Sequence, residues 1–202
     1  MRAFFLWLFV CVLSFNLLAM QEKEKLESIT LGAGCFWCVE AVYQELQGVV
    51  QVESGYMGGS TKNPTYKEVC TGNTGHAEVV RVTYNPAIIS LKQILQVFFQ
   101  VHDPTTLNRQ GNDVGTQYRS VIFYDNNEQK ELALEVKRAL SIAKIWTDPI
   151  VTEISPLSEF YLAENYHQDY YSLNSDKNPY CSFVITPKME KFRKTFKELL
   201  KE

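Results

Sequence analysis

The chain has 202 residues, of which 46% are hydrophobic and 21% are charged, and its formal net charge is −3. This composition is typical of one globular domain and excludes an intrinsically disordered chain. The near balance of 20 basic and 23 acidic side chains argues against a nucleic-acid-binding protein, which usually carries a basic excess.

The first 20 residues differ in character from the rest of the chain. Arg2 precedes an apolar stretch that continues to Met20 and is interrupted only by Ser14 and Asn16. Such a pattern predicts a secretory signal peptide. Residues 17–20 lack the usual small-x-small cleavage pattern, and roughly 18–20 apolar residues just span a bilayer, so an uncleaved membrane anchor is the alternative. We therefore expect an exported protein that is periplasmic, secreted, or anchored by its N-terminus to the outer face of the membrane.

Residues 21–202 are expected to form a single domain of mixed helices and strands. Hydrophobic periodicity and turn signals predict strands over residues 28–33, 49–56, 78–84, 119–124, 150–154 and 182–185. Predicted helices begin at Cys35, Ser90, Asn127 and Thr186. Residues 103–117 form a long polar loop, and loops of that length tend to be functional. This order favours an α+β fold, a two-layer α/β plait with helices packed on a central mixed or antiparallel sheet.

The sequence Gly-Cys-Phe-Trp-Cys at residues 34–38 is the first candidate site. Cys35 falls where a strand that ends in glycine meets a helix N-terminus, whose free amides and dipole stabilise a thiolate. The thiolate is the nucleophilic form of cysteine. Cys38 lies one helical turn further on, close enough for a disulfide or for trapping a sulfenic acid. Phe36 and Trp37 favour a substrate whose reacting end is small and apolar.

The cysteine pair has three other interpretations. Half of a zinc site is one, but Cys70 and His76 are six residues apart and Cys181 stands alone, which does not fit zinc-ligand spacing. A thioredoxin-type dithiol is the second, although the usual preceding βα unit is missing. Two inert buried cysteines are the third. No metal, nucleotide or flavin motif is found, since residues 55–59 lack the Lys-Ser/Thr of a phosphate loop, and we expect no cofactor.

Further strings accompany the cysteine motif in a fixed order. They occupy residues 55–59, 63–70, 74–80, 103–120 and 163–168. Together with residues 34–38 they resemble successive signatures of the A-type peptide methionine sulfoxide reductases, and the resemblance extends from about residue 29 to residue 190. It implies an enzyme of protein repair that reduces methionine (S)-sulfoxide, free or in proteins, since each sulfoxide epimer has its own enzyme.

The resemblance also assigns roles to residues at matching positions. Cys35 attacks the sulfoxide sulfur and Glu78 protonates its oxygen. Glu78 lies on a Val-rich strand, and a carboxyl among apolar neighbours keeps a raised pKa, although spacing alone favours a solvent-facing glutamate. Tyr66 and Tyr118 match two phenols that hydrogen-bond the oxygen without carrying charge.

Five more positions follow from the same resemblance. Phe36 and Trp37 form the slot for the substrate methyl group. Asp113, in the long loop, matches a carboxylate near the site. His76 and His167 also lie in matching strings, and we expect structural hydrogen bonds from them.

A sulfenic acid on Cys35 must condense with a second thiol. Many relatives carry that thiol on a glycine-rich C-terminal tail, but no cysteine follows Cys181 here. The candidates are Cys181, slightly favoured because it lies in a predicted mobile loop, and Cys38, whose disulfide with Cys35 is expected to distort the first helical turn. Cys70 is interpreted as a buried, unreactive thiol.

A thioredoxin-like protein would then reduce the enzyme disulfide. We expect a monomer that binds methionine sulfoxide in peptides or proteins and does not bind nucleic acid. Two other functions stay open at this point. One is a disulfide oxidoreductase acting through Cys35 and Cys38, and the other is a non-enzymatic module that binds or senses oxidised segments.

Overall fold

A computed structural model describes residues 25–201, so the predicted export signal lies outside the described part of the chain. The strands found there are β1 (Glu27–Ala33), β2 (Val49–Met57), β3 (Ala77–Tyr84), β4 (Arg109–Gln110), β5 (Asp113–Val114), β6 (Ser120–Tyr124), β7 (Glu153–Pro156) and β8 (Tyr161–Leu162). The helices are α1 (Phe36–Gln44), α2 (Tyr66–Val69), α3 (Leu91–Val101), α4 (Asn127–Ile142), α5 (Tyr170–Asn174) and α6 (Thr186–Thr195). No helix within residues 25–201 is both long and apolar enough to cross a membrane.

One six-stranded sheet organises these elements in the order β7-β6-β1-β3-β2-β8. The pairs β1–β3, β1–β6, β2–β3 and β2–β8 are antiparallel, whereas β6 and β7 are parallel, so the sheet is mixed. The predicted α+β fold with helices on a mixed sheet is therefore confirmed. The predicted loop over residues 103–117 contains the small β4–β5 hairpin, which sequence periodicity misses because each strand has only two residues.

Strand alternation separates the two faces of the sheet. The face toward the helices carries apolar side chains that join the main core, namely Ile29, Leu31, Ala33, Val80, Val82, Tyr84 and Ile122. The opposite face carries a smaller cluster of Met57, Ala77, Val79, Val121 and Phe123, with Phe160 packed against it. Leu95 and Phe98 of α3 are fully buried, and each contributes roughly 1.5–3 kcal/mol.

The predicted helix starts agree with the observed caps. Ser90 caps α3 in a capping box with Gln93, and Asn126 caps α4 by accepting from the Gln129 N–H. The predicted strand at residues 150–154 is shifted, because the observed strand β7 begins at Glu153.

The predicted strand at residues 182–185 is wrong. Cys181–Ile185 forms a π-helical turn that continues directly into α6. Cys181, Ile185 and Met189 are fully buried at a spacing of four residues, which is the helical pattern. The exposed Phe183 and Val184 give the segment a strand-like composition, and this composition caused the error.

Candidate active site

Cys35 lies at the junction of β1 and α1, as the sequence predicts. Gly34 adopts a φ of +89°, which lets the chain turn sharply from the strand into the helix. Cys35 is the N-cap residue of α1 with extended backbone angles, and its carbonyl accepts from the Cys38 N–H at 3.1 Å. Only 9% of Cys35 is exposed. Cys35 therefore lies just outside the helix, at the edge of the core.

Glu78 lies beneath this junction, on the helix-facing side of β3. It lies on the same face of the strand as Val80, Val82 and Tyr84, so it points into the core rather than into solvent. Its Oε2 accepts from the Phe36 N–H at 3.1 Å, and only 1% of the residue is exposed. Burial raises the pKa of Glu78 to about 8. The carboxyl is therefore mostly protonated at neutral pH and ready to donate a proton.

The two tyrosines lie beside this carboxyl. Burial raises the pKa values of Tyr66 and Tyr118, and the charge of a nearby ionised Glu78 raises both further. The backbone of Tyr66 is held in place because its N–H donates to Glu164 Oε1 at 2.9 Å. Both phenols thus remain neutral hydrogen-bond donors in the neighbourhood of Glu78.

Aromatic side chains form a wall next to Cys35. Phe36 lies 6.4 Å from Tyr66 in a nearly parallel orientation, measured between ring centroids. Trp37 stacks face to face on Tyr170, with ring centroids 3.7 Å apart and an interplanar angle of 6°. We call Phe36, Trp37, Tyr66 and Tyr170 the substrate slot, after the role that the family resemblance implies for Phe36 and Trp37. Sequence reasoning missed Tyr170, because it lies just beyond the string at residues 163–168.

His167 joins three members of the slot. Its ring contacts Phe36, Trp37 and Tyr66 at centroid distances of 5.0, 5.6 and 4.4 Å. The indole N–H of Trp37 donates to His167 Nδ1 at 3.0 Å. Because an indole nitrogen only donates, the proton of the neutral imidazole is on Nε2, 3.8 Å from Glu164 Oε2. His167 therefore has the structural role that the sequence predicts, since it packs against three residues of the slot and accepts a hydrogen bond from one of them.

His76 also makes the structural hydrogen bonds that the sequence suggests. Its Nδ1 accepts from the Gly59 N–H at 3.1 Å, and its Nε2 lies 2.8 Å from the Thr61 carbonyl oxygen. The ring therefore fastens the loop after β2 to the start of β3.

The two cysteines of the motif interact directly, but their pKa values differ from the sequence expectation. Burial, followed by the effects of Cys38 and Glu78, raises the pKa of Cys35 well above its ordinary value. The hydrogen bond from Cys35 outweighs the burial of Cys38, and with the Lys188 ammonium it lowers the pKa of Cys38 to about 7. The two thiols therefore titrate together as one hydrogen-bonded pair, and the thiolate expected on Cys35 stays a prediction.

The other two cysteines occupy different environments. Cys181 is fully buried in the π-helical turn, and burial followed by the charge of Cys38 raises its pKa. Cys70, expected to be buried, is exposed instead, because it caps the C-terminus of α2 while Val69 occupies the core. A hydrogen bond joins Cys70 to the Tyr66 side chain.

A hollow of about 290 Å³ opens beside the cysteine pair. The side chains that line it include Cys35, Cys38, Asp113, Tyr180, Phe183 and Lys188. The Tyr180 hydroxyl donates to Asp113 Oδ2 at 2.7 Å and lies within hydrogen-bonding reach of both thiols. Asp113 is therefore near the site, as the sequence suggests, but it acts on Tyr180. Among residues 25–201, no group of three or more His, Cys, Asp or Glu side chains is placed to hold a metal ion.

A contacting pair of cysteines at a helix start, next to a protonated carboxyl and an aromatic slot, defines a thiol-dependent oxidoreductase. Residues 27–200 match the family described as peptide methionine sulfoxide reductase, and the chain belongs to this family. The predicted enzyme class, the reduction of methionine sulfoxide, is therefore confirmed. The disulfide oxidoreductase and the non-enzymatic module are not supported.

Named relatives agree with this assignment over most of their length. The chain is 54% identical over 176 residues to peptide methionine sulfoxide reductase MsrA of Saccharolobus solfataricus, covering 87% of this chain and 98% of the relative. It is 55% identical over 171 residues to the protein of the same name from Trichodesmium erythraeum, covering 85% and 96%.

Solved structures of similar proteins show the same fold. The reduced form of Mxr1 from Saccharomyces cerevisiae gives a TM-score of 0.72 at 38% identity, covering 78% of this chain and 90% of that protein. Methionine sulfoxide reductase A of Corynebacterium diphtheriae gives a TM-score of 0.67 at 38% identity, covering 77% and 78%.

Proposed function

We propose that Cys35, Glu78, Tyr66 and Tyr118 carry out the reduction of methionine (S)-sulfoxide, free or in proteins. The observation that supports this most strongly is the placement of Glu78. Its buried, protonated carboxyl is fixed by the Phe36 N–H, one residue from the attacking sulfur. A sulfoxide sulfur is attacked readily only when its oxygen receives a proton, and Glu78 supplies one at neutral pH.

The first half-reaction moves two protons. As Cys35 attacks the sulfoxide sulfur, its own proton passes to the thiolate of Cys38, which is its hydrogen-bond partner. Glu78 protonates the oxygen, while Tyr66 and Tyr118 stabilise it as neutral donors. Transfer of the hydroxyl to Cys35 leaves methionine, a sulfenic acid on Cys35, a protonated Cys38 and an ionised Glu78.

The second half-reaction uses Cys38 as the resolving thiol. Its sulfur attacks the sulfenic sulfur of Cys35, the S–O bond breaks, and the hydroxyl leaves as water with the proton of Cys38. We do not expect a Cys35–Cys38 disulfide to distort the helix, since Cys35 is the N-cap residue and lies outside the helical turns. Cys181, the other candidate, stays reduced in this order.

A single turnover without reductant tests this order. Wild-type enzyme should lose two thiols per methionine formed, and peptide mapping should find a Cys35–Cys38 disulfide. Cys38→Ser should still form methionine but retain the sulfenic acid, which dimedone labels. Cys181→Ser is the matched control and should behave like wild type. A Cys35–Cys181 disulfide in the wild-type enzyme would instead make Cys181 the resolving residue.

The arrangement of the slot predicts that the enzyme prefers one epimer of the sulfoxide. Phe36 and Trp37 enclose the methyl group, while Glu78 and the two tyrosines face the oxygen, so only one configuration at sulfur presents both groups correctly. We expect turnover of the (S)-epimer of a sulfoxide peptide with dithiothreitol. Equal turnover of both epimers would contradict the proposed arrangement.

A thioredoxin-like protein is the proposed reductant of the enzyme disulfide. Mxr1 has been solved in complex with Trx2, and that structure matches this chain with a TM-score of 0.52 at 28% identity. The cysteine pair opens to the hollow, where a partner thiol reaches it. Steady-state turnover with thioredoxin, thioredoxin reductase and NADPH tests this proposal.

Export and a monomeric state complete the proposal. The cationic start and apolar stretch of residues 1–20 support export, with residues 21–202 forming the catalytic domain. Fractionation of cells that express the full chain, with N-terminal sequencing of the mature protein, separates a cleaved signal from an anchor. Light scattering determines the oligomeric state.

A further inference from the structure

Glu40 is a buried carboxyl that the proposed chemistry does not use. It lies on α1, one turn after Trp37, and only 1% of it is exposed. Its Oε2 accepts from the backbone N–H of Tyr170 at 3.2 Å. The Ser54 hydroxyl lies near enough to the same carboxyl to lower its pKa, yet neither Glu40 Oε1 nor Ser54 Oγ makes a hydrogen bond of good geometry with any residue in the described part of the chain. A buried carboxyl with an unfilled oxygen is costly and calls for a functional reason.

The backbone that Glu40 holds is unusual. Asp169 adopts left-handed angles, with φ at 55° and ψ at 28°, and this turn aims the Tyr170 N–H at Glu40. The carboxylate of Asp169 accepts from Gln44 Nε2 at 2.6 Å. Gln168 is fastened to the Ser54 backbone by two hydrogen bonds of 3.0 Å. Glu40 therefore links α1 to Tyr170, the residue that follows this turn.

That residue is part of the substrate slot. Tyr170 stacks on Trp37 at 3.7 Å, so the position of its backbone sets the position of the wall that the substrate methyl group meets. We infer that Glu40 is a positioning residue for the slot: its carboxyl holds Tyr170 against Trp37, and the ionised form holds it more firmly than the protonated form. This inference rests on the proposed role of Trp37 in binding the substrate.

The carboxyl changes its charge near neutral pH. Burial raises the pKa of Glu40 to about 7. The backbone amides of Asp169 and Tyr170 and the nearby Ser54 hydroxyl lower it, and the carboxylate of Asp169 raises it. A charged acceptor makes a hydrogen bond about twice as strong as a neutral one. The slot should therefore bind its substrate more tightly as the pH rises through about 7.

A binding experiment isolates this effect from the chemistry. The double variant Cys35→Ser/Cys38→Ser cannot turn over and lacks the titrating thiols. We would measure its affinity for a short peptide containing methionine (S)-sulfoxide from about pH 6 to about pH 8. The expected gain is about fivefold, which corresponds to the difference between a charged and a neutral acceptor.

Three further variants in the same background decide the question. Glu40→Gln should remove the gain and leave only the weakening that ionisation of Glu78, with a pKa of about 8, causes at the upper end of the range. Glu131→Gln, on the exposed face of α4, should keep the gain. Asp169→Asn removes the facing charge and should move the midpoint to lower pH, which provides a second test if the Gln variant fails to fold.

A gain that persists in Glu40→Gln, or a midpoint that Asp169→Asn leaves unchanged, overturns the inference. Failure of wild-type enzyme to reduce the (S)-epimer would instead contradict the proposed function. The two failures are therefore distinguishable.

Discussion

The substitution Glu78→Gln tests the proposed acid directly. The amide keeps an oxygen that accepts from the Phe36 N–H, so the local structure should survive, but it has no proton to transfer. General acid catalysis contributes about a hundredfold to ten-thousandfold, and we expect a loss of that size in the rate of methionine formation. The pKa of about 8 adds a second signature, because the wild-type rate should fall about tenfold for each pH unit above 8.

Single-turnover formation of methionine, followed across pH by rapid quench, measures both effects. The alkaline decline should disappear in Glu78→Gln, while the acid limb should remain, since it reflects the pKa of Cys38 at about 7. Glu53→Gln is a matched control on the adjacent strand β2, where the glutamate pairs with Arg81 at the surface. A loss of less than about tenfold, or an alkaline decline that persists in the variant, would refute the assignment.

Stability provides an independent check on the same carboxyl. Because burial raises the pKa of Glu78 from 4.5 to about 8, the stability associated with its neutral form is fully present below about pH 4.5 and is lost as the pH rises through 8. Thermal unfolding at alkaline pH should therefore show Glu78→Gln to be more stable than wild type, with a smaller difference in acid. The opposite order would mean that Glu78 is not buried as a neutral acid.

Three further substitutions test other parts of the site. Lys188→Met should raise the pKa of Cys38 and slow disulfide formation several-fold at neutral pH in a single turnover, whereas Lys188→Arg should not. His167→Leu leaves the buried indole N–H of Trp37 without its acceptor and should cost about 1–3 kcal/mol in urea unfolding, with a higher KM. Gly34→Ala should lower the Tm, because φ is +89° and a Cβ would lie 2.7 Å from Gln110.

Local patterns predicted the framework well where periodicity and caps agree. The capping box at Ser90, the helix start at Cys35 and the alternation of β3 all appear in the structure. Spacing alone favours a solvent-facing Glu78, although the inward valines at positions 80 and 82 share its face of the strand. The solvent-facing interpretation of Glu78 is therefore wrong. The family resemblance and the alternation of β3 both place this carboxyl inside.

Other features depend on contacts that no single segment encodes. The neighbourhood of Tyr170 and Trp37 brings together residues far apart in the chain, and no local signal marks their stacking. The exposure of Cys70 depends on which of two adjacent apolar residues enters the core. The π-helical turn at Cys181–Ile185 has a strand-like composition, and only its buried spacing reveals the helix.

The distribution of charge within the cysteine pair follows from competing magnitudes. A helix N-terminus stabilises a nearby anion by about 0.3–1 kcal/mol, and by about 2 kcal/mol in the best cases. Removing a charged group from water shifts a pKa by as much as about 3–5 units, several times that energy. Cys35 is 9% exposed, so burial outweighs the helix terminus and raises the pKa of its thiol. Cys38 is 2% exposed, so its lowered pKa depends on the hydrogen bond from Cys35 and on the charge of Lys188.

A nucleophile that is protonated at rest needs a base at the moment of attack. In the proposed mechanism Cys38 provides one, because the hydrogen bond from Cys35 and the charge of Lys188 lower its pKa to about 7. The same sulfur, once it has received the proton, is adjacent to the sulfenic acid that it must attack. Under this proposal the second cysteine of the motif serves both half-reactions. Its two tasks require the same position, in contact with Cys35 and one turn into α1.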